Sequence, residues 1–161
     1  MIIGVISDTH IPDTANRIPE VILNAFRHVD MVVHAGDMID LEAIEELKNV
    51  CSKVIAVAGN MDNPEVKSKY PVKELFKVGV FKVGLMHGYG APGNLISVLE
   101  DAFKLDAPDL IIFGHSHKAF NERVNGVLFF NPGSATDKVA EDNSYGIIEI
   151  TDRINGRLIK I

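Results

Sequence analysis

The chain has 161 residues, 47% of them hydrophobic, and a formal net charge of −6. This length favours one domain, residues 1–161, and the apolar fraction excludes a disordered chain. No stretch approaches the roughly 20 apolar residues that a membrane-spanning helix needs, and the acidic balance disfavours nucleic acid as a partner. The single cysteine, Cys51, excludes an internal disulfide and fits a reducing compartment, so we expect a cytoplasmic protein.

One local pattern returns along the chain: a short apolar run ends beside glycine and a polar or chelating residue. The runs are Ile2–Ile6, Met31–Ala35, Val54–Ala58, Val83–Met86, Leu110–Phe113 and Leu128–Phe130. Such runs predict strands buried on both faces. Ligand sites of open α/β sheets lie outside the carboxyl ends of the strands. We therefore expect several strands to deliver chelating side chains to one edge.

Helices are predicted between the early strands. Apolar residues in Arg17–Val29 follow the i, i+3, i+4 spacing of one helical face. Leu41, Ile44 and Leu47 mark a second helix, for which Asp40 is the expected N-cap. A third helix covers Leu95–Phe103.

The second half of the chain favours antiparallel hairpins. Asn125-Gly126 and Asn155-Gly156 each lie between two apolar runs, which is the strongest short hairpin signal because both turn residues adopt positive φ. Val78-Gly79-Val80 predicts another hairpin. A single sheet would be too wide for so many strands. The pattern therefore predicts an α/β fold of two packed mixed sheets with outer helices.

The polar residues at the strand ends form a set of candidate metal ligands. In Asp8-Thr9-His10 and in His115-Ser116-His117, the residues at i and i+2 of an extended segment face the same way and grip one cation. The full set of candidates is Asp8, His10, Asp37, Asn60, His87, His115 and His117. Mixed nitrogen and oxygen donors suit Mn, Fe, Ni, Co or Zn better than Ca or Mg.

Seven donors exceed the needs of one catalytic metal, which has about three protein ligands. Two metal ions that share one carboxylate fit the number. Two ions ~3.5–4 Å apart clamp a phosphoryl group and hold the attacking water. The set therefore predicts a two-metal phosphoesterase site.

Five short motifs, in this order, resemble the signature of the calcineurin-like metallophosphoesterases. They are Asp8-Thr9-His10, Gly36-Asp37, Gly59-Asn60, His87-Gly88 and Gly114-His115-Ser116-His117. The short length and the segment Asn131-Pro132-Gly133-Ser134 are similar to the small single-domain phosphodiesterase branch. The resemblance implies a β-sandwich flanked by helices.

The resemblance also implies a role for each ligand. Asp8, His10 and His117 would hold one metal, Asn60, His87 and His115 the other, and Asp37 would bridge the two. A hydroxide bridging the metals would attack phosphorus in line, and Asp37, Asn60 and His87 are the implied catalytic residues. Mn or Ni is favoured, with Fe, Co and Zn as alternatives. The sequence does not identify the residues that bind the substrate.

One position departs from the family pattern. Many members have histidine directly after the asparagine, as a general acid or to steady the phosphate, and here that residue is Met61. A thioether cannot supply a proton. We therefore expect a phosphodiesterase that favours small phosphate esters with good leaving groups.

Two alternative functions stay open. One is a phosphomonoesterase or phosphatase of the same fold. The other is a protein-binding scaffold, because a retromer coat subunit uses this fold with a degenerate metal site. A scaffold tends to lose histidines from the ligand set, whereas all seven positions are competent donors here. Homo-oligomerisation is also left open.

Several polar residues have ordinary structural interpretations. His34 is expected to be a hydrogen-bonded core histidine or a support for a metal ligand, and Asp62 a turn residue or such a support. The loop Asn131–Ser134 is expected either to be a plain turn or to face the substrate.

Overall fold

The computed structural model describes residues 1–139 and 142–161. The strands are β1 Ile2–Ile6, β2 Met31–His34, β3 Val54–Ala56, β4 Lys73–Val78, β5 Phe81–Met86, β6 Leu110–Ile112, β7 Phe120–Val124, β8 Val127–Asn131, β9 Ser144–Ile150 and β10 Ile154–Lys160. The helices are α1 Glu20–Phe26, α2 Glu42–Val50, α3 Pro64–Lys69 and α4 Leu95–Phe103, and a 3₁₀ turn covers Pro92–Asn94.

The strands form two five-stranded sheets. The first has the order β10-β9-β1-β2-β3, with β1 parallel to β2 and antiparallel to β9. The second has the order β4-β5-β6-β8-β7, with β6 parallel to both of its neighbours and the edge strands β4 and β7 antiparallel to theirs. The predicted α/β fold with two mixed sheets is confirmed.

The main core lies between the two sheets. Ile3 and Val5 of β1 pack there with Leu85 of β5 and Ile112 of β6. Side chains alternate along a strand, so Ile6 packs on the opposite face of the first sheet, in the cluster that contains α1 and α2. The outer face of the second sheet packs against α4. The molecule is therefore a β-sandwich with helices on its outer faces.

Two of the three predicted hairpins are confirmed. Asn125-Gly126 joins β7 to β8 with φ values of 51° and 87°, as the prediction required. Gly79-Val80 joins β4 to β5.

The third hairpin turns at a different place. The strands β9 and β10 do pair, but the chain turns at residues 151–153, and Asn155-Gly156 lies inside β10. Glycine is required at position 156 for close packing instead: a Cβ there would lie 2.6 Å from the Phe130 ring. The dipeptide marks a tight contact between the sheets and not a turn.

The helices differ from the prediction in detail. The helix α1 is shorter than Arg17–Val29, and α3 was not predicted. Asp40 is not the N-cap of α2, because Leu41 occupies that position and the Asp40 carboxylate accepts a hydrogen bond from the Leu41 N–H at 2.6 Å. None of the helices in the described residues is both long and apolar enough to cross a membrane.

Candidate metal centre

The predicted donors lie in the loops that follow the strands. Five of them have positive φ: Asp8 (52°), His10 (42°), Asp37 (56°), His115 (69°) and His117 (56°). Residues other than glycine rarely adopt this conformation, and such strained positions cluster at functional sites. Loops more than 100 residues apart in sequence meet here, since the His115 N–H donates to Asp8 Oδ2 at 3.2 Å.

The first donor group comprises Asp8, His10 and His117, whose ligand atoms lie within 4.8 Å of one another. Asp8 Oδ1 is 3.3 Å from His117 Nε2 and 3.9 Å from His10 Nε2. The two histidine Nε2 atoms are 3.2 Å apart. One carboxylate and two imidazoles therefore converge, and their shared role as the ligands of one metal, which the family resemblance implies, stays a prediction.

The second donor group comprises Asp8, Asp37 and His87, also within 4.8 Å. Asp37 Oδ2 lies 3.2 Å from His87 Nε2 and 4.0 Å from His10 Nε2, so this carboxylate faces both groups. Asp8 Oδ1 is likewise 3.9 Å from His87 Nε2. Both carboxylates lie between the groups, and the bridging role of Asp37 stays a prediction.

Asn60 and His115 lie beside these groups and contact each other. Asn60 Oδ1 is 3.0 Å from His115 Nδ1, while His115 Nε2 donates to the Gly90 carbonyl at 2.9 Å. In neutral His115 this leaves Nδ1 with a free lone pair facing the amide oxygen. The ring centroids of His87 and His115 are 5.3 Å apart. The structure thus brings all seven predicted donors to one edge.

Two buried atoms fit a metal ion better than a metal-free protein. Asp8 Oδ1 and His87 Nε2 have no hydrogen-bond partner within the described residues. Asp8 is completely buried, and burying a carboxylate oxygen that makes no hydrogen bond is costly unless a nearby cation compensates for it. Both atoms point into the space shared by the donor groups. The donor set and these two atoms fit divalent metal ions.

The tautomers of two histidines favour metal binding through Nε2. His87 Nδ1 donates to the Ala35 carbonyl at 2.8 Å, and His117 Nδ1 lies 2.7 Å from Asp137 Oδ2. A second partner of this kind fixes the tautomer of a ligand histidine and orients its ring. The remaining nitrogen, Nε2, faces the carboxylates of the donor groups.

Electrostatic interactions couple the ionisable side chains of the site. The Asp8 carboxylate, helped by Asp137 and opposed by burial, raises the pKa of His117 to about 9. Burial opposes ionisation of both His87 and Asp37, but their mutual attraction outweighs it, so the pKa of His87 is raised and that of Asp37 is lowered. The clustered carboxylates therefore attract positive charge, whether protons or metal ions.

Asp62 supports the second donor group. The sequence left two roles open for it, a turn residue or a support for a metal ligand. It is buried, and its carboxylate accepts hydrogen bonds from the N–H groups of Asp37 (3.2 Å), Ile39 (2.7 Å) and Gly59 (2.6 Å). One carboxylate thus ties the loop after β2 to the loop after β3. The supporting role is the correct one.

The segment after β8 supports the first group. Asn131 Nδ2 donates to the Gly114 carbonyl at 2.7 Å, and Ser134 Oγ donates to the Asp8 carbonyl at 2.8 Å. Both side chains are completely buried, so their burial favours a structural role for this loop over the substrate-facing alternative. Sequence reasoning missed Asp137, which holds His117, because it lies in a polar loop without any distinguishing pattern.

His34 is the hydrogen-bonded core histidine that was expected. Nε2 lies 3.0 Å from Thr9 Oγ1, and Nδ1 accepts from the Gly36 N–H at 3.1 Å. Burial lowers the pKa of His34 to about 4. It is therefore neutral at pH 7 and braces the loops that carry Asp8 and Asp37.

The calcineurin-like phosphoesterase superfamily domain matches residues 1–153. The chain belongs to this superfamily. The resemblance inferred from the five motifs is confirmed, and membership implies divalent metal ions at the site just described.

Relatives and solved structures agree with this membership. A protein of Methanothermobacter thermautotrophicus named "Probable metallophosphoesterase" is 37% identical over 99% of this chain and 92% of its own length. The structure of an archaeal phosphodiesterase is 29% identical over the full length of both chains, with a TM-score of 0.81. Zinc-complexed Vps29 from Entamoeba histolytica is 26% identical over 99% of both chains, with a TM-score of 0.78.

Replacing Asp137 by asparagine is expected to weaken metal binding about 10- to 100-fold, the usual cost of losing such a supporting carboxylate. The amide keeps the size of the side chain but removes the charge that orients His117 Nδ1–H. Isothermal titration calorimetry with Mn²⁺, on protein stripped of metal by a chelator, measures the effect. Asp152→Asn, at an exposed carboxylate in the β9–β10 turn, is the matched control. Equal affinity in both variants would contradict the role of Asp137.

Proposed function

We propose that this superfamily member is a metal-dependent phosphodiesterase for a small phosphate-ester substrate, with residues 1–161 as one domain. The observation that carries the proposal is the convergence of two donor groups that include two buried atoms without a hydrogen bond in the described residues, Asp8 Oδ1 and His87 Nε2. Two divalent metal ions, with Mn or Ni favoured, would supply a hydroxide for in-line attack on phosphorus. Cys51, the only cysteine, fits a cytoplasmic location.

The proposed ligand roles follow the predicted assignment. Asp8, His10 and His117 would hold one metal, and the ligands of the other would be Asn60, His87 and His115. Asp37 would be shared by the two. In this assignment Asp37, Asn60 and His87 are the catalytic residues. The archaeal relative of known structure is a phosphodiesterase, which favours the diester over the monoester here.

Met61 supports the choice of diesters. Its N–H donates to Asp37 Oδ1 at 2.7 Å, which places the residue at the donor set, and its side chain is 55% exposed. An exposed thioether at this position offers no proton to a departing alkoxide. The chain therefore relies on leaving groups that depart as stable anions.

Met61→His is expected to raise kcat/KM on esters with poor leaving groups about 100-fold, the lower range for a positioned general acid. Esters with good leaving groups should change little. A series of aryl methyl phosphates with leaving-group pKa values spanning several units measures this. A steep dependence of log kcat/KM on leaving-group pKa is expected for the wild type, and a shallower one for the variant. A flat dependence in the wild type would contradict the argument.

A non-catalytic scaffold is the second candidate, favoured by the structural likeness to Vps29, a vacuolar protein sorting protein. The two candidates differ in turnover and not in metal loading. A protein that binds two metal ions and hydrolyses no phosphate ester would be a scaffold.

The proposal is tested with bis(4-nitrophenyl) phosphate and 4-nitrophenyl phosphate as matched substrates. The protein is stripped with chelator and then reloaded with each divalent metal in turn. We expect diester hydrolysis that vanishes with chelator, returns with Mn²⁺ or Ni²⁺, and exceeds monoester hydrolysis. Faster monoester hydrolysis would favour the phosphomonoesterase alternative, and no hydrolysis would favour the scaffold.

A further inference from the structure

A large cavity opens directly beside the proposed metal centre. It has a volume of about 880 Å³ and runs from His115 and His117 along Lys118 towards Ser144, Leu158 and Lys160 of the first sheet. Cavities of about 300–1,000 Å³ hold small organic ligands. The space therefore accommodates far more of a substrate than the phosphate group.

The charged side chains that line this cavity differ in whether they have an ion-pair or hydrogen-bond partner. Lys160 forms an ion pair with Asp142, and Asp137 is hydrogen-bonded to His117. Lys118 has an exposed side chain, and its ammonium forms no ion pair with any residue in 1–139 or 142–161. In a chain of net charge −6, such a lysine beside the proposed metal centre provides a local positive charge that attracts anions.

The backbone at Lys118 is held in place from the core. Its N–H donates to Ser116 Oγ at 3.3 Å, and the same hydroxyl accepts from the buried Asn131 Nδ2 at 3.1 Å. Lys118 follows the metal ligand His117 directly. Its position relative to the donor set is therefore fixed at the backbone, while its side chain is free to reach a ligand.

An apolar cavity adjoins Lys118 on the other side. It has a volume of about 270 Å³, shares Ser116, Lys118 and Ala119 with the larger one, and is otherwise lined by residues such as Leu95, Phe113 and Phe120. An aromatic or aliphatic portion of a substrate fits this lining. Lys118 thus lies between the two cavities. A substrate bound at the metal centre would place its organic part and a second anionic group near this lysine.

Resting on the proposed function, we propose that Lys118 binds a second phosphate group of the substrate. The substrate class is a phosphodiester that carries an additional terminal phosphomonoester, with its organic part in the cavities beside Lys118. The scissile phosphate lies at the metal centre and the terminal phosphate at the lysine. A charge-assisted hydrogen bond of this kind strengthens binding about tenfold.

The test compares thymidine 5′-(4-nitrophenyl phosphate) with the same ester phosphorylated at the 3′ oxygen, using Mn²⁺-loaded enzyme. We expect the KM of the 3′-phosphorylated ester to be about tenfold lower in the wild type. Lys118→Met keeps the apolar stem, removes the charge, and should reduce this advantage to less than about twofold. Lys53→Met, at an exposed lysine just before β3, should retain it.

Equilibrium binding separates this inference from the enzymatic activity. Titration calorimetry with thymidine 3′,5′-bisphosphate and thymidine 5′-phosphate measures the same preference without turnover. Failure of wild-type enzyme to hydrolyse bis(4-nitrophenyl) phosphate would sink the proposed function alone. Equal binding of the two nucleotides by the wild type, or an unchanged preference in Lys118→Met, would overturn the role of Lys118.

Discussion

Replacing Asp37 by alanine is expected to abolish phosphodiester hydrolysis and paired metal binding together. The carboxylate is almost completely buried between the two donor groups, 3.2 Å from His87 Nε2 and 4.0 Å from His10 Nε2. Its other oxygen accepts from the Met61 N–H, which aims Oδ2 into the site. Without this carboxylate, less negative charge would offset the repulsion between the two metal ions. We expect kcat/KM to fall by at least about 10³-fold.

The measurement pairs turnover of bis(4-nitrophenyl) phosphate with the metal content of the same sample after gel filtration. Wild-type protein should retain two Mn²⁺ per chain, and the variant one or none. Asp13→Ala, at an exposed aspartate close to His10 in sequence, is the control and should behave as the wild type. A variant that keeps both metal ions and full activity would remove Asp37 from the bridging role.

Replacing Asp62 by alanine is expected to cost about 2–6 kcal/mol of folding stability. Its buried carboxylate accepts three backbone N–H groups, from Asp37, Ile39 and Gly59. The N–H groups of Asp37 and Gly59 are buried, and each of these two donors left without a partner costs about 1–3 kcal/mol. A loss of this size approaches the total stability of a small domain, which is about 5–15 kcal/mol. The loops that carry Asp37 and Asn60 should also lose their relative position.

Urea unfolding of metal-free protein measures the loss, with Asp152→Ala as the exposed control. Where Asp62→Ala is too unstable to purify, Asp62→Asn keeps the shape and one acceptor oxygen and should lose an intermediate amount. A loss below about 1 kcal/mol in Asp62→Ala would show that the three hydrogen bonds contribute little.

The convergence of the donors was predictable because the necessary information is local. Five of the apolar runs end beside chelating residues, four of them with an adjacent glycine, and parallel strands bring such ends to one edge of a sheet. Asp8, His10 and His117 therefore meet although more than 100 residues separate the first from the last. The β-sandwich followed from the number of runs, since one sheet does not accommodate them all.

The supporting residues were harder to predict because their partners lie far away in sequence. Asp137 contacts His117 across 20 residues, and Asp62 contacts the Asp37 N–H across 25. A carboxylate in a polar loop has the same local pattern whether it is solvated or buried. Only the packing of the loops against each other decides between these states.

The misplaced turn has a different cause. Glycine satisfies two separate requirements, positive φ and close approach, and the sequence does not distinguish them. At Gly126 the requirement is positive φ, whereas at Gly156 it is the proximity of the Phe130 ring. The second requirement depends on how the two sheets pack, which is set by residues distant in sequence.

The central claim, that two metal ions act together on a phosphodiester, is tested most directly by stepwise metal loading. Protein stripped of metal by a chelator is titrated with Mn²⁺, and hydrolysis of bis(4-nitrophenyl) phosphate is followed at each addition. We expect little hydrolysis at one equivalent and a rise to full rate as the second equivalent binds. Full rate at one equivalent would contradict the two-metal mechanism, and no hydrolysis with two ions bound would contradict the enzymatic function.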